Sequence, residues 1–401
     1  GPTGTAADRS IVSVLDRPPS KSCSIMIFPS RNLSTLVGRL IFFIFDIHTQ
    51  SKFIYLYQKI IYTLCKQKNR FMALQKKYGI EELISLTKKD MGLVNDLIIQ
   101  RTISNTDMIP KVSQYLISSG GKRLRPMLTI ASSKLCECKN NYYIPLAAGV
   151  EFMHTATLLH DDVVDDSEMR RGKIAARMLW GNEASVLVGD YLLGEAFKMM
   201  VEAQSIKALE VLSNAATVIA EGEVMQLVYS SHLTITPEMY FQIINYKTAK
   251  LFSAASEIGA IISDSSIETA EILRDFGSYL GIAFQLSDDA LDYTSTIDNI
   301  GKDIGDDFFE GKVTYPIIVS YEKSNEEERK LWERLINKKN KNANDFKSAL
   351  ELIDKKKGFE KTLAEAKKYG EKALNCLENF ADSEMKSALE EAVYFSYTRD
   401  S

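Results

Sequence analysis

The stretch Leu158-Leu-His-Asp-Asp-Val-Val-Asp-Asp-Ser-Glu-Met-Arg-Arg-Gly172 sets Asp161 and Asp165 four residues apart at the end of an apolar run. On an α-helix that spacing puts both carboxylates on one face, about a turn apart. Like charges so placed weaken a helix, and burial pushes them toward protonation unless a cation lies between them. The apolar residues before them make this face the wall of a cleft. Hard oxygen donors from one or two side chains, completed by water and phosphate, suit Mg²⁺ better than Ca²⁺ or Zn²⁺. The pattern recurs in Phe284-Gln-Leu-Ser-Asp-Asp-Ala-Leu-Asp-Tyr293. There Asp288 and Asp292 face one way, Asp289 is their neighbour and Gln285 lies one turn earlier. Either patch alone reads more readily as solvated surface. Two D-D-x-x-D patches, each after an apolar helical run, read as facing walls of a helical bundle that hold several Mg²⁺ ions around one diphosphate.

Outward from these clusters the text is helical from about residue 80 nearly to the end. Asp90-Met-Gly-Leu-Val-Asn-Asp-Leu-Ile-Ile99 repeats apolar residues at three and four positions. Similar faces recur at 146–160, 184–202, 207–229, 238–262, 268–294, 313–321, 345–352 and 361–380. Strand-like alternation is nearly absent, and no short repeat points to a solenoid. Pro145, Pro237 and Pro316 sit where a helix can begin or bend, and helix breakers gather in Ser118-Ser-Gly-Gly121 and between Gly301 and Gly311. The expectation is an all-α fold, one large domain over residues 72–401, with a lysine- and asparagine-rich surface loop at 337–344.

The 401 residues carry a net charge of −4, 45% hydrophobic and 25% charged side chains, an ordinary balance for a soluble globular chain. It gives no global case for nucleic-acid binding. The five cysteines are scattered and odd in number, and read as free thiols. The apolar run Leu40-Ile-Phe-Phe-Ile-Phe45 is too short for a membrane span. Residues 1–71 are basic and acid-poor, and read either as an organelle transit leader or as a non-native extension ahead of Met72. A transit leader would place the protein in mitochondria; otherwise the expected location is the cytoplasm.

Phosphates need cations and N–H donors. Ser119-Gly-Gly-Lys-Arg-Leu-Arg-Pro126 sets a flexible Gly-Gly before Lys122, Arg123 and Arg125, with Pro126 suited to the first position of the next helix. Arg170-Arg171-Gly172 follows the first aspartate cluster, Lys247-Thr248 sits in a mid-chain helix, and Lys302 and Lys312 follow the second cluster. His154 is seven residues before Asp161, on roughly the same helix face, as an anion donor or a satisfied core histidine. His160 points elsewhere and reads as structural.

G-G-K-R-L-R-P, D-D-x-x-D with its trailing R-R-G, G-D-Y-L-L at 189–193, Glu221-Gly-Glu-Val-Met-Gln226, K-T at 247–248, F-Q-L-x-D-D-x-x-D and G-K-D-x-G-D-D-x-x-x-G-K occur in this order. Over residues 80–400 the chain resembles the trans-prenyl diphosphate synthases, in their long-chain polyprenyl branch. The resemblance implies a helical bundle around a deep cavity, a homodimer, and transient contact with a membrane surface during product release. It implies that Asp161, Asp165 and Asp288 hold the allylic diphosphate through Mg²⁺, with Arg170, Lys247, Thr248, Gln285 and Lys302 around it. Isopentenyl diphosphate would be gripped by Lys122, Arg125, His154 and Arg171. Asp162, Asp289 and Asp292 would be supporting or water-mediated ligands. Asp306-Asp307 departs slightly from the expected pattern, with Gly305 and the spacing intact.

Product length is read from the positions four and five before Asp161, Thr157 and Ala156. A tyrosine or phenylalanine there would plug the cavity, whereas these small side chains leave it open. The expected product is therefore a long-chain, all-trans polyprenyl diphosphate of about C35–C50, and the resemblance implies a quinone side chain as its destination. A short-chain synthase of the same family is the principal alternative. A non-catalytic partner subunit would have lost one aspartate cluster, and a terpene cyclase would lack G-G-K-R-L-R-P.

Overall fold

The computed structural model describes residues 78–118, 120–293 and 305–398; the leader at 1–71 and Lys302 lie outside them. The described residues belong to one compact unit, Lys77–Ser401. Its first helices are α1 (Glu81–Arg101), α2 (Met108–Ser118), α3 (Leu124–Leu135) and α4 (Tyr143–Val164). A small hairpin of β1 (Met169–Arg170) and β2 (Lys173–Ile174) leads to α5 (Ala176–Trp180), α6 (Asn182–Glu202) and α7 (Ile206–Tyr229). Next come α8 (Pro237–Ile244), a π-helical turn at Asn245–Ala249, α9 (Lys250–Ile262) and α10 (Ile267–Leu291). The C-terminal part holds α11 (Asp306–Glu310), α12 (Tyr315–Glu322), α13 (Glu326–Asn337), α14 (Ala343–Lys355), α15 (Gly358–Leu377) and α16 (Glu384–Thr398).

Local chemistry explains many of the boundaries. Ser205, Thr236 and Ser266 accept the orphan N–H groups of Ala208, Met239 and Thr269 at the starts of α7, α8 and α10. Asn325 with Glu328, and Asn342 with Asp345, form reciprocal capping boxes at α13 and α14. The all-α expectation holds, with three differences. Pro126 is the third residue of α3, because Arg123 in left-handed conformation starts the helix earlier. The span 238–262 is not one regular helix, since the π turn interrupts it. And Arg170-Arg171-Gly172 forms part of a hairpin turn: Arg171 and Gly172 both have positive φ, 52° and 71°, as a two-residue turn between strands requires.

Three apolar cores fill the bundle. The first gathers α4, α6, α7 and α9 around Leu146, Val150, Phe152, Leu192 and Leu212. The second lies under the C-terminal half, with Leu286, Phe308, Trp332 and Phe346. The third joins α1, α3, α10 and α16 through Leu83, Leu128, Phe276 and Leu389. α7 comes close to the π turn because Gly222 has no side chain: a Cβ there would sit 2.7 Å from the backbone nitrogen of Lys247. Among the described residues, no helix is long and apolar enough to cross a membrane.

Candidate active site

The two aspartate clusters open onto one cavity of about 540 Å³. α4 brings Asp161 from its last turn and Asp165 as its C-cap, and α10 brings Asp288. The π turn adds Lys247 and Thr248. Both line the same cavity. Lys122, Arg125, His154, Thr157, Arg170, Arg171 and Gln285 also line it, so most of the sequence-derived candidates converge.

Charge in the cavity is cross-braced. The Lys247 ammonium lies 2.6 Å from Glu223 of α7 and 3.7 Å from Asp161. Lys312 lies 2.9 Å from Asp165 and 2.6 Å from Glu310, tying the segment after α11 to the first cluster. Burial pushes Asp161 above the usual carboxylate range, with Lys247 opposing and Asp165 adding to the rise. Burial also lifts Glu223 to about 7 against the pull of Lys247. Among the described residues no three His, Cys, Asp or Glu side chains gather closely enough to hold a metal ion on their own. Carboxylates spread over facing walls suit a hard cation that keeps water and phosphate oxygens in its shell.

The remaining aspartates of the two clusters do not line this cavity. Asp162 is fully buried and turned to Arg170, whose guanidinium donates to its Oδ1 from both Nε (2.7 Å) and Nη2. Asp289 is buried behind the cavity wall, and burial together with Asp307 lifts it to about 8. The Asp292 carboxylate accepts the N–H groups of Gly305, Asp306 and Asp307 at 3.1–3.2 Å, which fastens the start of α11 to the end of α10. Burial and Asp307 push Asp292 to about 8 as well.

A carboxyl whose folded-state pKa exceeds its unfolded value stabilises the fold while protonated. For Asp289 and Asp292 this contribution is complete below the ordinary 3.8 and is lost as pH rises through about 8. The metal-free protein is therefore expected to melt at least about 2 °C higher at pH 6 than at pH 9. Thermal melts across that range check it; a flat profile would place both carboxyls at ordinary values.

Part of the cavity lining is strongly cationic. Gly120 and Gly121 adopt positive φ, 86° and 131°, and wrap the loop over Arg171, which donates to the Gly120 carbonyl. Arg125 lies 3.2 Å from His154 Nε2. Since a guanidinium only donates, Nε2 accepts and the ring proton sits on Nδ1. Burial and the neighbouring Arg125, Arg171 and Arg170 hold His154 well below its ordinary pKa. Burial lowers Arg125 itself to about 10, with Glu151 opposing. Ala156 does not line the cavity: it is 2% exposed within the first core, one step below Thr157. His160 faces Asp190 and Val186, away from the cavity.

Sequence reasoning left several cavity residues without a role. Glu223 lay inside the quoted Glu221-Gly-Glu-Val-Met-Gln226 segment and Lys312 at the end of the last motif, and each meets its partner only through tertiary folding. Glu151, three residues before His154, was hidden by the apolar run around it.

Comparison with known proteins fits this geometry. The polyprenyl synthetase family model matches residues 106–353. Octaprenyl diphosphate synthase of Escherichia coli (strain K12) is 40% identical over 322 residues, 80% of this chain and 99% of the relative. The crystal structure of a polyprenyl synthase from Caulobacter crescentus CB15, complexed with calcium and isoprenyl diphosphate, superposes with a TM-score of 0.78 at 46% identity. It covers 81% of this chain and 99% of that one. A decaprenyl diphosphate synthase from Rhodobacter capsulatus gives a TM-score of 0.77 at 42% identity, over 80% and 98% of the two chains. With carboxylates of two helices and a cluster of arginines on one cavity, and this likeness along four-fifths of its length, the chain belongs to the polyprenyl synthetase family of trans-prenyltransferases.

Proposed function

We propose that the protein extends an allylic prenyl diphosphate by repeated head-to-tail condensation with isopentenyl diphosphate, giving a long-chain, all-trans polyprenyl diphosphate for a quinone side chain. The observation that carries this reading is the arrangement of Asp161, Asp165 and Asp288 with Lys247 and Lys312 on one cavity that Arg125, Arg170 and Arg171 also line. A bound divalent cation, which we take to be Mg²⁺ held by those three aspartates, would neutralise charge on the departing diphosphate. Lys247, Thr248 and Gln285 orient that group, and Lys247 and Arg170 are placed to stabilise its developing charge. Lys122, Arg125 and Arg171 hold isopentenyl diphosphate so that its C3–C4 double bond faces the allylic carbon. As the C–O bond to diphosphate breaks, the new C–C bond forms there, and the proton lost from C2 passes to the released diphosphate. No side-chain nucleophile is required.

Long-chain growth is favoured by what lies beneath Thr157. α4 presents Ala147, Ala148, Gly149 and Ala156 to a core that includes Met199 and Met200 of α6. Methionines change shape at little cost and can yield to an entering chain. A homodimer is supported by the outer stripe of α7, where Val224, Leu227 and Val228 are about 60% exposed.

The test is incubation with farnesyl diphosphate, labelled isopentenyl diphosphate and Mg²⁺, followed by chromatographic sizing of the dephosphorylated product. A ladder ending in one long polyprenol is expected. A geranylgeraniol end product would make the enzyme a short-chain synthase, and no incorporation would leave a non-catalytic subunit.

A further inference from the structure

Tyr240 heads a buried hydrogen-bonded chain that the roles above leave without a purpose. It is 3% exposed, and its hydroxyl donates to Asp289 Oδ2. Oδ1 of the same carboxylate accepts from Gln285 Nε2 at 2.7 Å. Gln285 Oε1 in turn accepts from the Thr248 hydroxyl at 2.8 Å. The Gln285 amide is therefore fixed at both ends, with its oxygen toward Thr248 and its nitrogen toward Asp289. One N–H and one carbonyl lone pair of Gln285, with the lone pairs of Thr248 Oγ1, remain to meet a ligand.

Packing does little to fix these groups. Behind them lies a second cavity of about 130 Å³, walled by Tyr240, Ile235, Ile243, Ile244 and Val313. Lys247, Thr248 and Gln285 line both this chamber and the larger cavity. The partition between the two is thus a single layer of side chains with space on each side. In a close-packed core, neighbours select one rotamer; here hydrogen bonds must do so, and Tyr240 supplies the one that comes from outside the wall.

We infer that Tyr240 is a positioning residue for the allylic diphosphate, acting through Asp289 on Gln285 and Thr248. This rests on the functional reading above, in which Gln285 and Thr248 face the allylic substrate. Tyr240→Phe keeps the ring, which packs 5.3 Å from Tyr315, and removes only the hydroxyl. Asp289 then lacks one partner and has the chamber to relax into.

The experiment is steady-state kinetics on the full chain, varying farnesyl diphosphate and isopentenyl diphosphate separately, with thermal melts alongside. Tyr240→Phe is expected to raise KM for farnesyl diphosphate about tenfold, the scale of one buried hydrogen bond left unmade, with KM for isopentenyl diphosphate changed less than about twofold. In a Gln285→Ala background the same substitution should add little, because the chain is already cut. Equal changes in both KM values, no change in either, or full additivity with Gln285→Ala would overturn the inference. If Tyr240→Phe fails to fold, Thr248→Val cuts the far end of the chain and must give the same one-sided KM change. Failure of the functional reading is distinct: the unmodified protein would then not incorporate isopentenyl diphosphate at all.

Discussion

Replacing Ala156 with tyrosine is expected to stop chain growth at about C20 or earlier while the first condensations continue, because the new ring fills a close-packed space. Ala156 lies five residues before Asp161 and next to the cavity-lining Thr157, and is buried in the core that α4 shares with α6. A phenol at this position would occupy the ground the tail has to enter. It would do so without touching the aspartates, so bond formation should persist. Overpacking costs about 1–3 kcal/mol, and the variant should melt lower than the parent. Chromatographic sizing of the dephosphorylated products decides the matter: an unchanged chain length would mean that the tail follows another route.

Asp161→Asn has the second large expected effect. Turnover should fall about 10²- to 10³-fold, the scale of removing one preorganised charge-stabilising group. Stability should not fall with it. Burial pushes the Asp161 carboxyl up, so its charged form is unfavourable in the folded state, and a neutral isostere relieves that. Lys247 keeps Glu223 as its 2.6 Å partner. Single-turnover rates and thermal melts at pH 8 test both halves. Near-normal turnover would remove Asp161 from the metal-binding set; a large drop in melting temperature would make it a structural residue.

The all-α fold and the pairing of the two aspartate clusters were legible because both rest on short-range periodicity. Apolar residues at three and four positions mark helices, and D-D-x-x-D marks a shared face. What stayed hidden depends on contacts between distant segments. The Lys312–Asp165 contact joins residues 147 apart, and nothing local to either announces it. Asp292 carries the same motif signature as Asp165, yet it fastens backbone N–H groups of α11 where Asp165 lines the cavity. Motif position could not separate the two, because the difference is set by which chain segment happens to pass. The hairpin at Arg171-Gly172 was missed for another reason: two-residue strands are too short to show alternation.

The π turn at Asn245–Ala249 has a consequence for how this segment can change over time. A chain one residue shorter there could run from α8 into α9 as an unbroken α-helix, with a regular ladder of i to i−4 bonds. Four residues in the narrower α-helical turn sweep nearly the same angle as five in the wide one, so α8 and α9 would keep their relation. Tyr240 would still face Asp289, and the change would fall on the turn itself, which carries Lys247 and Thr248. Local helix energetics and the substrate site therefore favour different lengths for the same segment. The extra residue acts as a local widening confined to the wall, one that a single-codon deletion at Asn245, Tyr246 or Ala249 would erase while leaving Lys247 and Thr248 in the gene.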